Sequence, residues 1–319
     1  MNLALIGYGN VARSFARLLA SKRAQYPFRI VAAHTRHGTA IDPAGLPPDP
    51  AFGPRLASVE EFLDNANAEI VVELTPLNPL NGEPAISHIR AAFARGLHVV
   101  TANKGPLAHA YAALREEARQ RGVQFRHEST VMDGVPVFNM VRAGMPGCEI
   151  RGFVAVLNST TNLVLEAMER GQTLEEGIEQ ARKLGITEAD SDYDIDGWDA
   201  AAKAAALANV LMGAQVTPQD VDTKGIRRLT PEKLAELKAK GKTVRLITRA
   251  RRGPDGVKLR VRAEVLDSTD TLANVRGTGN MLLLETDLLG TVGTLSVAPT
   301  IEETAYGLFS DLVDIARSL

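Results

Sequence analysis

The chain has 319 residues, 45% of them hydrophobic, and a net charge of −2 without any long basic block. That length can bury two cores rather than one, and the even charge argues against nucleic acid or an anionic membrane as partner. Its one cysteine, Cys148, excludes an internal disulfide and fits a reducing, cytoplasmic setting. No stretch approaches the ~20 apolar residues of a membrane span, and the opening MNLALIGYGN has too short an apolar run for a signal peptide.

Leu3 to Ile6 is a short apolar run, expected to be a buried strand. Gly7-Tyr8-Gly9-Asn10-Val11-Ala12 follows, and Val11, Phe15, Leu18 and Leu19 then recur at helical spacing. A strand, a glycine turn and a helix in that order make a dinucleotide-binding start. Gly7 permits the tight turn, Gly9 lets a pyrophosphate approach the backbone, and Ala12 stands where a third glycine serves packing. The N–H groups of Asn10 and Val11 open the helix toward a phosphate. The plain alternative is a strand–helix turn that binds nothing.

A second strand is expected over Phe28 to Ala33, ending in His34-Thr35-Arg36-His37. An NAD enzyme usually has an acid there for the ribose 2′-hydroxyl. None appears before Asp42, and Arg36, with Thr35 and His37 beside it, is placed for a 2′-phosphate unless it is simply a solvated arginine. Asp42 to Pro54 is proline-rich and is expected to be a surface loop. Ile70 to Leu74 is a third strand that ends at Thr75-Pro76. A helix over Pro84 to Arg95 and a strand from His98 lead to Thr101-Ala102-Asn103-Lys104. Ligands of such folds sit at the carboxyl ends of strands, so Thr75 and Lys104 are cofactor-cleft residues; alone, Lys104 is also a plain helix-start lysine.

In the second half, Thr173-Leu174-Glu175-Glu176 is a capping box for a helix that stops before Gly185. From Glu188 to Asp199, six carboxylates fall within twelve residues, and an alanine-rich helix follows from about Trp198 to Met212 with Asp196 as its expected N-cap. Asp192, Asp194, Asp196 and Gly197 mimic the start of an EF-hand, but its last ligand position holds Lys203, a cation. Asp199 and Lys203 are four apart and share a helix face. A solvated acidic loop and a catalytic one, with carboxylates gripping an ammonium around a proton-delivering lysine, fit the spacing equally. The run Arg249, Arg251, Arg252 is expected on a solvated turn before Gly253.

Taken together, these blocks resemble the homoserine dehydrogenases along nearly the whole chain: Gly7-Tyr8-Gly9, Val100 to Lys104, His127-Glu128-Ser129-Thr130-Val131, Leu157-Asn158-Ser159-Thr160-Thr161-Asn162, and Gly185 to Lys203. The last block is the most specific. The resemblance implies reversible NADP- or NAD-dependent reduction of aspartate 4-semialdehyde to homoserine. It makes Lys203 the proton donor and sets Lys104 beside nicotinamide and substrate. Glu188, Asp199, Thr160 and Asp194 would bind the amino acid. Gly185 joins Gly7, Gly9, Asn10, Val11, Arg36 and Thr75 as cofactor residues. It also implies a monovalent cation, usually sodium, held through Glu128, Val131, Asp133 and Val135, and a homodimer. The implied fold is α/β: a Rossmann-type domain over 1–130, completed by a helix over 303–319, and an α+β substrate and dimerisation domain over 131–302. Three departures stand out: Met132-Asp133-Gly134 where the family often has Gly-Ala-Gly, Ile186 in place of a tyrosine, and Ser296 to Thr300 without glycine. Longer relatives carry a threonine-sensing module after the last common block, so this chain is expected to be insensitive to threonine. A rival, aspartate-semialdehyde dehydrogenase, needs a thiol nucleophile, and Cys148 lacks an activating context. Outside enzymes, a non-catalytic NADP-sensing protein is the alternative.

Overall fold

The computed structural model describes residues 1–187 and 191–319. The chain divides into two compact units, Met1–Met140 with Thr300–Leu319, and Val141–Pro299.

The first unit is built on β1 (Asn2–Ile6), β2 (Arg29–His34), β3 (Thr39–Ile41), β4 (Ile70–Glu73), β5 (His98–Thr101) and β6 (Phe125–Arg126), in the order β3-β2-β1-β4-β5-β6. Every neighbouring pair is parallel except the β2–β3 hairpin. The crossovers carry α1 (Asn10–Lys22), α2 (Val59–Ala66), α3 (Ala85–Ala94) and α4 (Lys104–Arg121). Parallel strands covered on both faces must be apolar throughout, and Leu3, Leu5, Ile70, Val71 and Val72 are fully buried. Strand order reverses at β1, which pairs with both β2 and β4, so the carboxyl ends of β1 and β4 flank the crevice where such sheets bind ligands.

The unit extends past 130, the boundary expected from sequence. The Glu128 carboxylate accepts the backbone N–H groups of Phe138 (2.8 Å) and Asn139 (2.7 Å), which ties the single turn α5 (Val137–Asn139) to this unit. The last helix, α11 (Ile301–Ser318), opens on a capping box between Thr300 and Glu303. Its Leu308, Phe309, Leu312 and Ile315 join Leu3, Phe15 and Ile30 in one core. Two polar anchors fix it: buried Asp311 accepts the Glu128 N–H at 2.8 Å, and Asp314 pairs with Arg126 at 2.6 Å. Glycine at 134 and 307 lets α11 lie against the 129–134 backbone, because a Cβ at either position would collide with Glu303 or Ser129.

The second unit has β7 (Ile150–Val156), α6 (Ser159–Met168), α7 (Leu174–Lys183), α8 (Asp192–Ile195), α9 (Trp198–Met212), β8 (Asp222–Thr223), α10 (Pro231–Ala239), β9 (Lys242–Gly253), β10 (Gly256–Asp267), β11 (Asn280–Thr286) and β12 (Thr291–Ser296). Its sheet runs β12-β11-β7-β9-β10-β8, antiparallel apart from the short β8–β10 pair. The alanines of α9 are buried, so small side chains let the helix sit close to β9 and β10. The arginine run lies within β9 rather than on a turn. Arg249 pairs with Glu264 on β10 at 2.8 Å, and Arg252 reaches Glu149, just before β7, at 3.2 Å, so partners on and beside neighbouring strands hold these residues at the sheet. Arg245, fully buried, pairs with Glu169 at 3.2 Å and donates to the Val275 carbonyl at 3.0 Å. A buried guanidinium is tolerable only when paired and hydrogen-bonded in this way.

Candidate functional site

At the edge of the first unit, Gly7 has φ +94°, and a Cβ there would lie 2.7 Å from the Leu74 carbonyl oxygen, so the turn after β1 requires glycine. Gly9 differs: its φ of −95° suits any residue, and a Cβ would meet nothing within 4 Å. The space above Gly9 is open. The N-terminus of α1 has no side-chain cap and no acid in its first turn, so the N–H groups at Asn10 and Val11 present an uncapped positive helix end. That cradle fits the pyrophosphate of a dinucleotide.

Arg36 and His37 are exposed at the tip of the β2–β3 hairpin, which Thr35 closes by accepting the N–H groups of His37 and Gly38, each at 3.1 Å. Arg36 Nε donates to His37 Nε2 at 2.8 Å. Between Thr35 and Ile41 there is no acid. Behind the hairpin, His34 is buried against Phe62 and hydrogen-bonded to Thr39. Burial, then the charge of Arg55, lowers its pKa and keeps it neutral.

Thr75 and Lys104 are brought to adjacent strand ends through Asn103. Its Nδ2 donates to the Thr75 carbonyl at 3.0 Å, while its Oδ1 caps α4 through Gly105 N–H at 2.9 Å. The Thr75 hydroxyl itself turns to the fully buried Glu73, which also accepts from Thr101 at 3.1 Å. Glu128, Val131, Asp133 and Val135 fall on one short segment of the same unit. Asp133 is left-handed, with φ +55°, and its carboxylate accepts from Thr304 at 3.1 Å. Among the described residues no group of three or more His, Cys, Asp or Glu is placed to hold a metal ion. The segment offers carboxylate and backbone carbonyl oxygens, the donor type that hard cations take.

In the second unit, Lys203 on α9 lies 3.2 Å from Asp199, one helical turn earlier, and donates to the Leu157 carbonyl at 2.6 Å. Both side chains are mostly buried, 17% and 13% exposed. Asn158 organises the cluster. Its Oδ1 caps α6 at Thr161 N–H (2.8 Å), and its Nδ2 donates to Asp194 (2.7 Å) and Asp199 (3.0 Å). Thr160 (3.0 Å) and Thr187 (3.3 Å) also donate to Asp194. Burial raises the pKa of Asp194 and the nearby Asp199 carboxylate adds to that, against the lowering effect of its donors and Lys203. Proton donors, carboxylates and a lysine thus meet on α6, α8 and α9, an arrangement that can grip a cationic group and deliver a proton.

The acidic loop is not one solvated run. Asp192 and Asp196 turn outward to Arg227, each at 2.7 Å, while Asp194 turns inward. Asp196 therefore does not cap α9. Gly197, with φ +88°, takes that place without a side-chain cap, since the Asp196 carboxylate is committed to Arg227. Gly185 has φ +71° and ends α7, with its N–H on Arg182 O (2.9 Å) and that of Ile186 on Ala181 O (3.0 Å), a Schellman stop. Glu188 lies outside the described residues. Cys148 is half-buried in the turn before β7, and Thr300, ending the glycine-free stretch, is the N-cap of α11. Asn158 and Asn103 carried no role from sequence, although an asparagine just before a helix is an N-cap signal in each case.

Residues 7–128 match the family model for the NAD binding domain of homoserine dehydrogenase, and residues 136–313 match that for homoserine dehydrogenase. A homoserine dehydrogenase of Methanocaldococcus jannaschii is 36% identical over 339 aligned positions, covering 100% of this chain and 99% of that one. A protein of Pseudomonas canavaninivorans named NAD(+)-dependent homoserine dehydrogenase is 35% identical, covering 99% of this chain and 96% of its own. A hyperthermophilic archaeal homoserine dehydrogenase, solved in complex with NADPH, superposes with a TM-score of 0.84 at 28% identity, covering 100% of this chain and 98% of that one. A fold, a dinucleotide cradle and a lysine–carboxylate cluster of this kind, matched along their whole length, mean that the chain belongs to the homoserine dehydrogenase family.

Proposed function

We propose that the chain interconverts L-aspartate 4-semialdehyde and L-homoserine with NADP in preference to NAD, with Lys203 as the proton donor. Bound nicotinamide supplies or accepts the hydride. Reduction of the aldehyde builds negative charge on its oxygen, and a nearby ammonium stabilises that charge and passes a proton. The observation that carries the assignment is the Lys203 ammonium at 3.2 Å from Asp199 and hydrogen-bonded to the Leu157 carbonyl. The carboxylate pairs with the lysine, and the carbonyl fixes its direction. Asp194 and Asp199 hold the substrate ammonium, with Thr160 supporting Asp194, while Glu188, the remaining carboxylate of the substrate site, orients Lys203, and Lys104 is the other catalytic lysine. The test is an absorbance assay with homoserine and NADP, following reduced nicotinamide. Turnover in the wild-type chain and its loss in Lys203→Ala, with cofactor affinity retained, are the expected results.

The NADP preference rests on Arg36 and His37 at a hairpin tip that lacks an acid. Gly7, Gly9, Asn10 and Val11 would hold the pyrophosphate, and Thr75 and Gly185 would line the nucleotide. Glu128, Val131, Asp133 and Val135 would hold a monovalent cation such as sodium, which would neutralise and order their segment. A homodimer is supported by a half-covered apolar strip in the second sheet. There Val154, Leu283 and Gly293 lie in register, with the 51%-exposed Leu295 next to them. Light scattering after gel filtration tests that assembly.

A further inference from the structure

Tyr193 lies on α8, one residue before Asp194. Its hydroxyl oxygen is buried and makes no hydrogen bond in the structure, one of the few buried side-chain polar atoms among the described residues of which that is true. A buried polar group without a partner costs free energy and calls for an explanation. The phenol sits in the field of the Asp199 and Asp194 carboxylates. Burial and those two charges raise its pKa, so it stays a neutral phenol that can both accept and donate one hydrogen bond. The two carboxylates already receive Asn158, Thr160 and Lys203. A further anion would be repelled from this spot, whereas a cation would be drawn in.

We infer that Tyr193 is a specificity-determining residue whose hydroxyl accepts an N–H of the substrate's α-ammonium, completing with Asp194 and Asp199 a three-oxygen seat for that group. An alkylammonium has three N–H donors, and three oxygen acceptors from separate side chains match it. The seat would select amino-acid alcohols over hydroxy acids of the same length. The inference rests on the proposed homoserine activity, and the test separates the two.

The test compares wild type with Tyr193→Phe on two compounds: homoserine, and 4-hydroxybutyrate, which keeps the reacting alcohol and the carboxylate but lacks the ammonium. The latter is measured as a competitive inhibitor against homoserine. The variant is expected to raise KM for homoserine about tenfold, the effect of one hydrogen bond to a charged group, with kcat within about a factor of two. The inhibition constant of 4-hydroxybutyrate is expected not to change. Equal weakening of both compounds would mark Tyr193 as structural, and an unchanged KM for homoserine would remove it from the site; either result overturns the inference. No turnover of homoserine by the wild-type chain would instead overturn the proposed activity. Circular dichroism and melting temperature of the variant confirm that it is folded.

Discussion

Asn158 donates to Asp194 at 2.7 Å while its own carbonyl oxygen caps α6, so one amide both starts a helix and steadies a carboxylate of the site. The cap fixes which end of the amide faces the acids. Asn158→Asp replaces the donor by a third negative oxygen beside Asp194 and Asp199, while an aspartate still caps the helix. Turnover is expected to fall at least a hundredfold with little change in melting temperature. A variant that retains more than a tenth of wild-type kcat/KM would show that the bridge is dispensable.

The raised pKa of Asp194 sets a pH dependence. An ionised carboxylate is needed to hold the ammonium, so the acid limb of kcat/KM is expected above the ordinary aspartate value. Asp194→Asn should lower the rate and remove that limb. The sign for stability is opposite to that of a salt-bridged acid. Between the ordinary and the raised value the folded chain keeps a proton that the unfolded chain has lost, so this group's contribution falls as pH rises through that window. Urea midpoints of wild type and Asp194→Asn across the acid range check it: the variant should lose less stability on going up through the window.

Gly7 and Gly9 are expected to separate fold from binding. Gly7→Ala meets the Leu74 carbonyl at 2.7 Å from a left-handed backbone and should destabilise the first unit by about 1–3 kcal/mol. Gly9→Ala meets nothing within 4 Å and should melt like wild type. Its methyl group would instead occupy the phosphate approach, and NADP affinity by fluorescence titration should drop about tenfold or more. Unaltered affinity would move the pyrophosphate away from this turn.

Arg36→Ala is expected to raise KM for NADP about tenfold while leaving KM for NAD nearly unchanged, because the lost guanidinium serves only a 2′-phosphate. Equal effects on the two cofactors would count against the hairpin tip as the discriminating element.

Asp311 is 1% exposed and accepts the Glu128 N–H. Asp311→Ala leaves that donor buried without this acceptor and should cost about 2 kcal/mol, visible as a lower urea midpoint. A midpoint equal to wild type would show that the anchor contributes nothing measurable.

The strands and helices of the first unit were legible because their signals are local. Glycines bracket the first turn, apolar runs have strand length, and parallel strands are apolar on both faces. The capping box at Thr173 likewise marks α7 within a few residues. What escaped was set by partners distant in sequence. Asp196 looks like an N-cap until Arg227, 31 residues later, takes its carboxylate. The arginines near 249 look solvated until Glu264 and Glu149 pair with them. Asn158 looks like a helix cap, and is one, but its other face meets acids 36 and 41 positions further on. Periodicity cannot report such pairings.

The return of α11 to the first unit also bears on how the chain is made. Residues 1–140 leave the ribosome long before 300–319, yet their core includes Leu308, Phe309, Leu312 and Ile315. Until those side chains emerge, Phe15, Leu19 and Phe28 have an uncovered apolar flank. Domains usually fold in order of synthesis; here the first unit can mature only after the whole of the second has been translated. The nascent intermediate therefore carries a sticky surface for the time needed to build residues 141–299, a natural target for a holdase chaperone.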